Sequence, residues 1–127
     1  GSLDVFGAII SARQQHLFNN ANKPAHFQLY SIESVLSEPS QNKVDFVIFE
    51  AIKGHYLDVS IANRVKVKAR TSLPQADTLI LVTELDVLTS NTISWEQARE
   101  RDLVQINGPS QKSEQLRLWM EERFGGK

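Results

Sequence analysis

The chain contains no cysteine. That excludes a disulfide framework, a thiolate metal site and a cysteine nucleophile, and it fits a reducing compartment. No apolar run approaches the 18 or so residues that a membrane-spanning helix needs, and no signal peptide is visible. The expectation is an intracellular protein, cytoplasmic or nuclear. A dominant charge is missing too: 14 Lys and Arg stand against 15 Asp and Glu, for a formal net charge of −1. A protein that holds nucleic acid by counterion release usually carries a basic excess, so any such binding must be local to one face. There is no phosphate loop or dinucleotide fingerprint and no G-x-S-x-G nucleophile context. His16, His26 and His55 fall in three separate elements with no metal-ligand spacing. No cofactor, no metal and no enzymatic activity is expected.

What is present suits one soluble domain. The chain has 127 residues, 41% hydrophobic and 23% charged, enough for a single core. The pattern predicts an N-terminal helix over 3–19, β-structure over 26–88 and C-terminal helices over 94–124, all in one domain spanning 3–124. In the first helix Val5, Ile9, Ala12 and His16 share a stripe, with Asp4 placed to cap it. The run Asn19 to Pro24 ends it. Residues 26–37 fit neither period cleanly, and a strand with a bulge is predicted there. Val44–Ile52 and Tyr56–Ile61 read as strands around a Lys53-Gly54 turn. Thr78–Leu88 reads as the last strand. Ser94-Trp95-Glu96-Gln97 is a capping-box pattern that opens a helix, and Ser110 can cap the final one.

The most distinctive stretch is Arg64-Val65-Lys66-Val67-Lys68-Ala69-Arg70. In a strand, alternate side chains share a face, so Arg64, Lys66, Lys68 and Arg70 form a row of cations about 6.6 Å apart. The hydrophobic pattern constrains register. A two-residue turn at Lys53-Gly54 sets Ile48 opposite Val59 and Phe49 opposite Asp58, with Tyr56 nearby on the face of Phe49. If the chain stays extended through Ala62-Asn63, Tyr56 and Phe49 join the cations, and aromatics among cations suit a single-stranded nucleic acid. Against that, lysine-rich strands commonly keep a sheet edge soluble, and Glu84 can sit opposite Arg64 as a cross-strand partner.

Two further features bear on function. The carboxylates Asp45, Glu50, Asp58, Glu84 and Asp86 lie on strands and could converge as an acid–base pair in a dry pocket, although strand carboxylates mostly face solvent. Leu116, Trp119, Met120 and Phe124 form one stripe of the terminal helix. The stripe either caps the sheet or docks on a partner chain, because Trp and Met are favoured at interfaces.

The ladder Val44–Ile52, Tyr56–Ile61, Arg64–Ala69 and Thr78–Leu88, followed by an amphipathic terminal helix, resembles the OB-fold superfamily. It is similar in pattern to the small subunits of replication-protein-A-like and telomere-capping complexes. The resemblance implies a small five-stranded antiparallel barrel with flanking helices, of class α+β. It implies a non-catalytic assembly module that binds a protein partner, or itself, through Leu116, Trp119, Met120 and Phe124. Auxiliary single-strand contact would fall to Arg64, Lys66, Lys68, Arg70, Tyr56 and Phe49. The alternative is a cystatin-like or NTF2-like antiparallel sheet wrapped around the N-terminal helix, dimeric or holding a small ligand. A corner near Asn63 would separate the two.

Overall fold

A computed structural model describes residues 1–18 and 23–125. The chain runs α1 (Ser2–Gln14), α2 (Ala25–Leu36), β1 (Phe46–Glu50), β2 (His55–Ser60), β3 (Lys66–Arg70), β4 (Ile80–Thr83), α3 (Leu85–Thr89), α4 (Trp95–Glu100), β5 (Gln105–Asn107) and α5 (Ser110–Phe124). The fold is α+β, with one five-stranded sheet in the order β3-β2-β1-β4-β5. β1 pairs antiparallel with β2 and parallel with β4, so the sheet is mixed and open. Both expected architectures are corrected here. A parallel neighbour for β1 is incompatible with an OB-like antiparallel barrel, and equally with an all-antiparallel sheet of the cystatin or NTF2 kind. Parallel strands need a long crossover, and the β2–β3 hairpin together with 71–79 supplies it.

The alternation was a sound guide to faces. Ile48 lies opposite both Leu57 and Leu81, Phe46 opposite Val59, and Val59 opposite Val67; all are buried. The register differs from the expected one by two residues. Glu50, not Ile52, faces His55, because Ala51–Gly54 forms the turn. Gly54 donates its N–H to the Glu50 carbonyl at 2.8 Å and adopts φ +70°, which glycine takes without steric cost. A shift of two preserves the facing of every side chain.

Two expected elements change, and the open choice at Ala62-Asn63 between a bend and a continuing strand is decided. Residues 26–37 form a helix whose buried residues Gln28, Ile32 and Leu36 recur every fourth position. The exposed Phe27 and Tyr30 obscure that period in the sequence. The strand expected to run to Leu88 stops at Thr83, and Leu85–Thr89 turns into α3, which packs on α2. Ala62-Asn63 belongs to a reversal, so β2 and β3 form a hairpin. The predicted turn at 19–22 lies outside the described residues.

The termini of the elements explain themselves locally. Ser94 Oγ accepts from the Gln97 N–H at 3.2 Å, and the Gln97 side chain accepts from the Ser94 N–H at 2.9 Å, so the capping box forms as expected. α5 begins after Pro109 with no side-chain cap, so Ser110 does not cap it. Gly108 sits between β5 and α5 at φ +154°, where an added Cβ would lie 2.9 Å from Leu79 Cδ1. Its lack of a side chain lets the chain pass over Leu79.

β3 occupies one edge of the sheet. Two amides at this edge are taken by α2 and the residue after it: Val67 N–H donates to Glu33 Oε2 at 2.8 Å, and Val65 N–H, just ahead of β3, donates to Ser37 Oγ at 3.0 Å.

Candidate functional site

The clearest concavity with an apolar floor lies between α4, β5 and α5. The capping box fixes the start of α4 and so places Trp95, its first residue, under the strand that follows. Trp95 is 2% exposed. Val104 and Ile106 bring apolar surface from β5 and the residue ahead of it. Arg99 of α4 and Arg117 of α5 line it, and the cleft, open to solvent, has a volume of about 290 Å³, close to the lower end for ligand pockets. The indole Nε1 of Trp95 is buried without a hydrogen-bond partner in the protein. That nitrogen is covered by protein atoms, so it is not a donor offered to the cleft. The cations are fixed in place. Arg117 Nε and Nη1 each lie 3.0 Å from Glu114 and Glu121, and Arg99 lies 3.6 Å from Glu96. The Arg117 hydrogen bond holds the Glu114 carboxyl below its ordinary range.

A second polar constellation sits at the C-terminal ends of the parallel strands β1 and β4. Glu50, Glu84 and Asp86 are 1%, 0% and 2% exposed. Glu50 accepts from the Leu85 N–H at 3.0 Å, from Lys53 Nζ at 3.3 Å and meets His55 Nε2 at 2.6 Å. Glu84 accepts from the N–H groups of Ile52 and Lys53 at 2.8 and 3.3 Å. Each acid therefore binds the loop that follows the other's strand. Arg13 reaches in from α1, with Nε 3.0 Å from Asp86 Oδ2 and Nη2 3.4 Å from Glu84 Oε1. Burial alone would lower the Arg13 pKa, but Asp86 and Glu84 outweigh it and hold it above the ordinary value. Burial, and then the charge of Glu50, push Glu84 above its ordinary range, against the Ile52 and Lys53 amides.

A raised carboxyl pKa means that the folded state favours the protonated form. Stability is then lost as pH climbs from the ordinary value of 4.5 through the raised one. Glu84→Gln removes that titration. In urea melts between pH 4.5 and 7.5, the variant should gain on the wild type as pH rises. A constant difference across that range would show that Glu84 titrates normally.

Of the five carboxylates expected on strands, these three converge. Asp45 instead accepts from the Ile61 N–H and Asp58 pairs with Arg70 at 2.9 Å. Glu84 lies beyond β4, which β2 and β1 separate from β3, so its expected pairing with Arg64 does not occur. Among the described residues no three His, Cys, Asp or Glu side chains form a group able to hold a metal ion.

The structure brings the basic row together with the aromatics, for a different reason from the expected one. The β2–β3 hairpin sets Lys66, Lys68 and Arg70 opposite Ser60, Asp58 and Tyr56, and the Phe49 and Tyr56 rings lie 4.7 Å apart. Arg64 is exposed in the turn before β3. The row lies on the edge strand β3, with no barrel groove beside it. The terminal-helix stripe is interior: Leu116, Trp119 and Met120 are 0% exposed and Phe124 4%, so these residues build the core and are not offered to a partner. The cleft at Trp95 was missed. The one signal for it was the capping box, which fixes a large aromatic at a helix start.

The α+β fold of this chain has a counterpart among solved structures. A solved structure described as "UbiJ-SCP2 Ubiquinone synthesis protein" is similar to it, with a TM-score of 0.50 and 12% sequence identity, over 78% of this chain and 97% of that one. At that identity the likeness concerns the fold. No family model matches the sequence, and no curated protein does. The likeness and the mixed sheet overturn the OB-fold assignment, and with it the reading as an assembly module with nucleic-acid contact. No described helix is long and apolar enough to cross a membrane.

Proposed function

We propose that this chain is a non-catalytic binding domain for a small amphiphile, received in the cleft between α4, β5 and α5. The observation that carries the reading is the cleft itself, whose lining sets Trp95, Val104 and Ile106 beside Arg99 and Arg117. An amphiphile suits this arrangement. Its apolar part covers Trp95, Val104 and Ile106, and an anionic or polar end lies by Arg99 and Arg117. The fold adds support, because the similar UbiJ-SCP2 structure is named for the synthesis of ubiquinone, a polar ring on an apolar chain.

The test is titration with decanoate, followed by tryptophan emission. A saturable change with a Kd on the order of 10–100 µM is expected, as for a ligand of about a dozen heavy atoms with ordinary efficiency. Trp95→Phe should abolish the signal and weaken binding, and Arg117→Ala should weaken binding several-fold. A wild-type protein that shows no saturable response, by emission or by calorimetry, would refute the proposal.

A further inference from the structure

The Trp95 cleft is small for a long chain, and two further open grooves run along the flanks of α1. One cleft of about 230 Å³ is walled by Ala8, Ala12 and Gln15 on one side and Leu103 on the other. Another, of about 340 Å³, is walled by Asp4 and Val5 on one side and Asp102, Val104 and Gln105 on the other. Val104 and Gln105 also wall the Trp95 cleft. Residues 102–105 are thus a partition with the Trp95 cleft on one side and α1 on the other. The inner face of α1, Val5, Ile9 and Ala12, is buried, and its partners are core residues that only apolar surface can cover again.

Among the described residues, Arg13 is the α1 side chain that forms ion pairs with the body of the domain. It sits at the C-terminal end of the helix, and Glu84 and Asp86 hold it from fully buried positions. α1 also carries apolar residues on its outer side, with Leu3 83% and Phe6 41% exposed, so neither face ties it firmly to water. We infer that α1 is a lid over the amphiphile site, latched by Arg13 on Glu84 and Asp86, and that its lifting joins the flanking clefts to the Trp95 cleft so that a long acyl or prenyl chain can lie where Val5, Ile9 and Ala12 now pack. This rests on the cleft reading above and specifies how that site admits its ligand. A chain that binds only the lifted form draws the population toward it by its differential affinity. The latch therefore sets a cost on long ligands that short ones do not meet.

The experiment compares wild type, Arg13→Ala and Arg13→Lys for binding of decanoate and palmitate by calorimetry and stopped flow, alongside amide hydrogen exchange of residues 5–14. Arg13→Ala should raise exchange across α1 while the sheet stays protected. It should also speed and tighten palmitate binding several-fold and leave decanoate within about twofold, a margin near 0.4 kcal/mol. Arg13→Lys, which keeps the charge but lacks the fork that reaches both acids, should fall between. It carries the test if Arg13→Ala no longer unfolds cooperatively. Faster α1 exchange with equal effects on both ligands, or no change in palmitate binding, overturns the lid and leaves the cleft reading standing. If neither ligand binds wild type or variant, the cleft reading falls and the lid falls with it.

Discussion

Trp119→Ala is expected to lower the unfolding free energy by about 3–5 kcal/mol, the range for removing a large aromatic from a packed core. Domains of this size are stable by about 5–15 kcal/mol, so the variant should unfold well below the wild-type urea midpoint or fail to fold at 37 °C. The reason is position. Trp119 is fully buried and meets Phe46 edge-on, with ring centroids 5.8 Å apart and planes at 83°. Through that contact α5 is fastened to the first residue of the central strand. The indole N–H of Trp119 is itself buried without a partner. Trp119→Phe keeps the ring contact and removes the unmatched donor, and it should cost far less. A Trp119→Ala protein that kept its midpoint would show that α5 does not belong to the core and would reopen the docking role for Leu116, Trp119, Met120 and Phe124.

Glu50→Ala should cost about 3 kcal/mol, the lower end for removing one partner of a buried ion pair. The lower end applies because Lys53 and His55 are 43% and 48% exposed and can turn to solvent. The Leu85 N–H cannot, and its bond to Glu50 Oε2 is buried. That lost acceptor carries most of the penalty. Glu50→Gln retains an acceptor for Leu85 and should recover a substantial part of the loss. The two variants, compared by urea melts at neutral pH, separate hydrogen bonding from charge. Equal losses would mean that the charge of Glu50 dominates, and a negligible loss in both would mean that the loops after β1 and β4 hold without it.

The sequence made the strands and their faces legible because two-residue alternation is local. Val65 and Val67 fall inside and Lys66 and Lys68 outside, as their spacing requires. Register depended on the length of one turn, and Lys53-Gly54 looked sufficient where Ala51–Gly54 was used. The stretch from Glu84 to Val87 was misread because it alternates charge with aliphatic residues as a half-exposed strand does. All four of its side chains are buried, and the acids are satisfied by amides and cations from β1, its turn and α1, which a window along the chain cannot see. Strand β5, only Gln105–Asn107, is too short to leave a periodic trace. The cleft was illegible for a related reason: Trp95, Ile106 and Arg117 meet only after α4, β5 and α5 have folded back on one another.

The side-chain closure of β3 by Glu33 and Ser37 has a bearing on how copies of the chain behave toward each other. A basic strand with a valine on every second position, set at a sheet margin, would otherwise be a template for strand addition. With the Val65 and Val67 amides already engaged, a second molecule finds two fewer donors to pair with there. At the opposite margin β5 is three residues long, too brief to seed a cross-chain sheet. Both margins of the sheet are thereby poorer templates for strand addition than a long bare edge strand, even though aromatics such as Phe27 and Tyr30 stay exposed.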